Sequence, residues 1–125
     1  LAIDLLNGAA YLLPYTTRLD LVKVDTQGSE YVVVAGLMPL LQSVTRTPDI
    51  IIELTPLSLR QCGSSGRQLM ELLAELEQPF HIIDHLEHRL VASNAHELAQ
   101  WCDNVDAVPG DAGFMNILVG SPPHA

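Results

Sequence analysis

Apolar positions along this chain follow two spacings, one of alternate or adjacent β-branched residues and one of three and four. Leu19, Leu21, Val22 and Val24 form a short apolar run that stops in Gln27-Gly28-Ser29, which predicts a strand, a turn and a helix start. Tyr31, Val34, Ala35 and Met38 keep helical spacing, with Ser29 placed to cap. The helix expected over 31–44 is weakened at Gly36 and restarts near Pro39. Asp49 to Leu54 is the clearest strand, entered from Pro48 and left at Pro56, with a loop through Cys62-Gly63-Ser64-Ser65-Gly66. Ser65 and Gln68 form a capping box ahead of Leu69, Leu72, Leu73 and Leu76, one apolar helix face that Pro79 ends. Phe80 to Asp84 reads as a strand, with Arg89 to Ala92 turning back beside it as a hairpin. Asn94 and Glu97 repeat the capping pattern before a short helix through Trp101, which packs that helix onto the sheet. Pro109 to Gly113 is a turn and Phe114 to Val119 a closing strand. Leu1 to Pro14, with its Asn7-Gly8 turn, has no clear period, and Ser121 to Ala125 reads as a loose tail.

Alternation of strand and helix predicts βαβ units with right-handed crossovers, hence a three-layer, Rossmann-like α/β arrangement. Its sheet is expected to be mostly parallel and covered on both faces, because the strands are nearly continuous in apolar residues. The last strand follows a shorter connection and is expected to run antiparallel, at or near an edge. With no repeat, low-complexity block or linker, residues 1–125 make one domain. The chain starts at Leu1 and not at Met, so further sequence is expected ahead of it.

Charge narrows the partners. A net charge of −9 with six Lys and Arg repels phosphate backbones and anionic lipid, so neither nucleic acid nor a membrane surface is an expected partner. No apolar run reaches the ~20 residues that span a bilayer, and no charged-then-apolar leader opens the chain. Cys62 and Cys102 stand apart, outside any C-x-x-C spacing, as two free structural thiols suited to a reducing, cytoplasmic compartment.

In open α/β sheets, ligands collect beyond the carboxyl ends of the strands. That rule singles out Asp25 and Gln27 after one strand and Glu53 and Thr55 after the next, with Glu30 one step further, in the first helical turn. A carboxylate there orients a hydroxyl or amine, accepts its proton, or holds a metal ion. At Glu30 it also favours the helix dipole for purely structural reasons. His81, Asp84, His85, Glu87 and His88 crowd one stretch, but His85 and His88 share no strand face. They read as a solvated hairpin tip, and no metal site is expected. Gly63 to Arg67 lacks Walker spacing and reads as a cap, not an anion cradle. No G-x-S-x-G elbow occurs.

The run Leu19-Asp20-Leu21-Val22-Lys23-Val24-Asp25-Thr26-Gln27-Gly28-Ser29-Glu30, followed by Val34-Ala35-Gly36, Ile50-Ile51-Ile52-Glu53 and the closing Phe114-Met115-Asn116-Ile117-Leu118, resembles the FkbM-type methyltransferases. The likeness covers most of Leu19 to Val119, and its specific part is Lys23 to Glu30 with Glu53 at the right distance. Gln27 stands where many members carry Glu, which removes a carboxylate and weighs against metal there. The resemblance implies a class I methyltransferase fold and methyl transfer from S-adenosylmethionine, usually to an oxygen of a small hydroxyl-bearing acceptor such as a sugar or natural product. It makes Asp25 and Glu53 the catalytic candidates, Asp25 and Gln27 neighbours of the cofactor, and Glu30 and Thr55 substrate-side residues. Lys23 is expected to serve the fold, its stem packed and its ammonium near a carboxylate.

One departure is large. The family's donor site begins in a Gly-rich loop after its first strand, and no such loop occurs here. The chain is therefore expected to correspond to the C-terminal portion of the domain, from just before the fourth strand, and to bind donor weakly and be inactive by itself. Leu19 to Asp25 would then expose an edge, to be covered by Leu1 to Tyr15 or by a two-fold homodimer through that edge or the helices. The rival expectation is a non-catalytic α/β module used in assembly.

Overall fold

The computed structural model of the chain describes residues 20–44 and 46–121. Most of the Leu1–Leu19 stretch discussed above and nearly all of the Pro-rich tail lie outside them. Five strands and four helices follow in order: β1 (Leu21–Val24), α1 (Glu30–Ser43), β2 (Asp49–Leu54), α2 (Pro56–Gln61), α3 (Gly66–Ala74), β3 (Phe80–Asp84), β4 (Arg89–Ser93), α4 (Ala95–Asp106) and β5 (Met115–Val119). None of the helices among the described residues is long and apolar enough to cross a membrane.

The strands form one open mixed sheet in the order β1-β2-β5-β3-β4. β1 and β2 pair in parallel, whereas β2–β5, β5–β3 and β3–β4 are antiparallel. The expected mostly parallel sheet is therefore corrected to a mostly antiparallel one. Two elements cause this. The hairpin partner β4 adds an antiparallel ladder beyond β3. The closing strand does run antiparallel, as expected, but it enters between β2 and β3 instead of at an edge, and so contributes two antiparallel ladders.

Alternation along β2 decides the core. Ile50, Ile52 and Leu54 are buried while Asp49, Ile51 and Glu53 are only partly covered. Val24, Ile117, Val119 and Phe80 share the buried face and join Val34, Met38 and Leu41 of α1, Leu59 of α2, Leu69 and Leu73 of α3, and Leu98 and Cys102 of α4 in one core. Burying a side chain of this size stabilises by about 1.5–3 kcal/mol. All four helices thus lie on one face, and the described residues form two layers, not three. Handedness gives the reason: β1, β2 and β3 run the same way and advance in one direction across the sheet, so right-handed crossovers put α1, α2 and α3 on one side. The other face keeps Leu21 57% exposed and Leu90 37% exposed.

α1 runs unbroken through Pro39, which costs one backbone donor but is outweighed by the burial of Val34, Met38 and Leu41. α2 was not expected, because Pro56 reads as a strand stop; its fixed φ equally suits the first helical turn. Ser65 and Asn94 cap as expected, accepting from Gln68 N at 3.1 Å and Glu97 N at 2.8 Å. Trp101 packs against the core, as expected. Arg67 turns onto α4, with Nη2 at 2.6 Å from Asp103 Oδ2, so the Gly63–Arg67 segment joins two helices.

Candidate functional site

The carboxyl ends of β1, β2 and β3 share one rim, and antiparallel β5 begins there. The β1–β2 ladder ends at Val24 with Ile52, so Asp25 leaves β1 beside Glu53. Glu53 pairs in turn with Asn116 of β5, and Asn116 pairs with Ile83 of β3. Cross-strand partners lie about 5 Å apart at Cα. A row of polar side chains therefore runs along the rim from Asp25 through Glu53 to Asn116, and it ends at His85, whose Nε2 lies 2.8 Å from Asn116 Nδ2.

The loop that presents Asp25 is held tightly. Gln27 takes φ 56° and Gly28 φ 115°. A Cβ on Gly28 would stand 2.5 Å from the Ser58 carbonyl oxygen, so this position needs glycine for both conformation and space. Glu30, 2% exposed, reaches back from the first turn of α1. Its carboxylate accepts from Thr26 N at 2.6 Å, Thr26 Oγ1 at 2.7 Å and Gly28 N at 2.8 Å. The adjacent helix N-terminus also favours its charge. Ser29 makes no side-chain capping bond, contrary to expectation; its backbone, at φ −92° and ψ 9°, is outside the extended conformation in which a capping side chain reaches the first-turn N–H groups.

Each residue singled out from the sequence now has a place. Asp25 and Gln27 are exposed on the rim, with Gln27 Nε2 donating to Asp25 Oδ1 at 3.0 Å. Glu53 is partly buried and accepts from Thr55 Oγ1 at 3.1 Å. The four stand together. Glu30 stands apart from them in the interior, its oxygens engaged by the loop. Lys23 is exposed and enters no ion pair among the described residues, so its expected carboxylate partner is absent there. Asp84 is occupied by its own turn: the N–H of Glu87, then that of Leu86 and the Arg89 guanidinium, hold its carboxyl below the usual range.

Asn116 and the 60%-exposed Phe114, at the same rim, were not singled out from the sequence, and His85 was read only as part of a solvated hairpin tip. The available signal was Asn116 itself, the one polar residue inside the strand Met115-Asn116-Ile117-Leu118-Val119.

The two thiols differ. Cys102 is buried, and burial first, then Asp106 and Asp103, pushes it up to about 12. Its sulfur also lies where a Cβ on Gly66 would fall, which fixes the close approach of α3 to α4. Burial both shields Cys102 and holds it as the thiol, so iodoacetamide should label the native chain once, at Cys62, and twice only after denaturation. Labelling of Cys102 in the folded chain would contradict the packing of α4.

The chain matches no family model, no curated protein and no solved structure.

Proposed function

We propose that the rim carrying Asp25 and Glu53 belongs to a methyltransferase of the class I, Rossmann-like kind, cytoplasmic, using S-adenosylmethionine to methylate an oxygen of a small hydroxyl-bearing acceptor. The observation that carries this reading is the side-by-side exit of Asp25 and Glu53 from adjacent parallel strands, the two acids that the FkbM-type resemblance puts at the reacting centre. The reversed closing strand also agrees with it. Asp25 would accept a hydrogen bond from the acceptor hydroxyl, aim its oxygen and take up its proton as the methyl passes from the donor sulfur to that oxygen and S-adenosylhomocysteine leaves. Glu53 supports the same hydroxyl from the next strand. Positioning supplies much of the rate, because a sulfonium is already a good leaving group. Gln27 borders the donor and Thr55 fixes Glu53.

Calorimetry with S-adenosylmethionine tests the donor assignment. The 125-residue chain is expected to bind it weakly or not at all, since it has no Gly-rich loop after a strand, and the complete gene product is expected to bind it tightly. Failure of the complete product to bind overturns the reading. A low-micromolar constant for the chain alone moves the cofactor pocket elsewhere.

A second reading, a non-catalytic assembly module, is favoured by one observation: β1 pairs only with β2 among the described residues, leaving an open strand edge beside the exposed Leu21. A two-fold dimer through that edge predicts twice the chain mass in light scattering at micromolar concentration. A monomer with slow amide exchange over Leu21–Val24 would mean that the edge is covered within the chain.

A further inference from the structure

The sheet face opposite the four helices has an apolar stripe of its own. The ladders place Leu21, Ile51, Leu118, Ile83 and Leu90 on that side, one from each strand, so the stripe crosses the whole sheet from β1 to β4. These side chains line a groove of about 380 Å³ in which Asp49 is the one charged residue. Leu21 and Leu90 are exposed at its two ends. A contiguous apolar surface of this kind marks a docking face. His81, opposite Leu118 in the β3–β5 ladder, points the same way, and its Nδ1 is buried with no hydrogen-bond partner among the described residues.

Connectivity, reach and charge point to one occupant. Residues 1–19 enter β1 at Asp20, beside Leu21 and so at one end of the stripe. Ten of residues 1–13 are apolar, and they too need cover. Strands lie about 4.8 Å apart, so the stripe is about 19 Å long. Thirteen residues reach about 20 Å even when helical, and Pro14 to Arg18 remain for the turn. Asp4 and Arg18 cancel, so residues 1–19 are neutral and the whole of the −9 lies on the rest of the chain. A second copy laid face to face would bring another −9 against the first. Tethering also gives the segment a millimolar effective concentration, about a thousandfold above a second copy at micromolar concentration. A free cation would find one carboxylate, Asp49, among aliphatic side chains that strip its water. An apolar small molecule offers His81 Nδ1 nothing, whereas a peptide brings backbone donors and acceptors.

We propose that the groove is the docking site of the chain's own residues 1–13, which pack across the open sheet face and seal the stripe between Leu21 and Leu90. They supply the third layer that the described residues lack. The surface concerned is the face of the sheet and not the open β1 edge, so the docking holds whichever reading of the rim is right.

The test uses the full 125-residue chain with ¹³C-labelled Leu and Ile methyl groups. Nuclear Overhauser contacts are expected from Leu5, Leu6, Leu12 and Leu13 to Ile51, Ile83, Leu90 and Leu118. They should vanish in an isotope-filtered experiment on mixed labelled and unlabelled chains, which detects only contacts between copies. Leu21→Lys combined with Leu90→Lys, both at exposed positions, should abolish these contacts and speed amide exchange over Leu5–Leu13 about tenfold or more. Amides of α3 and α4, on the other face, serve as the folding control. The proposal is overturned by the absence of contacts between the segment and this face in the wild-type chain. Contacts seen only between copies would assign the face to a second molecule instead. Exchange over Leu5–Leu13 that is indifferent to the double variant would place the segment elsewhere.

Discussion

Glu30→Ala is expected to destabilise the chain by about 3 kcal/mol, from the loss of hydrogen bonds to a buried charged acceptor and the donors they leave unpaired. The wild-type carboxylate takes two backbone N–H groups and a hydroxyl from the β1–α1 loop. Alanine removes all three acceptor contacts, and the buried N–H of Gly28 has no other partner among the described residues. Gln27 and Gly28 would still have to hold positive φ without that tie. Glu30→Gln keeps one carbonyl acceptor but turns an NH2 toward an N–H, so it should fall between alanine and wild type. Urea midpoints at constant m-value measure the series, with the exposed Glu75→Ala as a control within about 0.5 kcal/mol of wild type. If Glu30→Ala behaves like that control, the loop is held by something else.

Asp25→Asn is expected to lower methyl transfer by the complete gene product about 100-fold, the lower end of what a positioned acid–base group contributes. Glu53→Gln should lower it less. Asp25 is exposed and its side chain accepts a bond from Gln27 that Asn can accept equally well, so stability should stay within about 0.5 kcal/mol of wild type. This contrast separates the two carboxylates: Glu30 is expected to move the folding midpoint, and Asp25 the turnover. Normal turnover in both Asp25→Asn and Glu53→Gln would make the rim acids structural.

Local chemistry made much of the fold legible. Pro48 and Pro56 bracket β2, Pro79 sets the start of β3, and the caps at Ser65 and Asn94 form the bonds their spacing implied. What stayed illegible was decided by packing at long range. No local signal says that β5 inserts between β2 and β3, and that insertion is what overturned the parallel sheet. The same holds for the site. Asp25, Gln27, Glu53 and Thr55 follow strands and were readable from strand ends. Asn116 and His85 meet only because β5 and β3 pair, 31 residues apart in sequence. Glu30 was readable as an acid in a first turn, but its burial depended on the loop folding over it.

The most direct measurement is transfer of a tritiated methyl group from S-adenosylmethionine, catalysed by the complete gene product, to a panel of neutral hydroxyl-bearing acceptors that includes pyranosides. The account predicts label in an alkali-stable methyl ether, with S-adenosylhomocysteine formed in equal amount and both products strongly reduced in Asp25→Asn. Absence of transfer to every acceptor by a folded, donor-bound protein would contradict it, as would label in the product that is indifferent to Asp25.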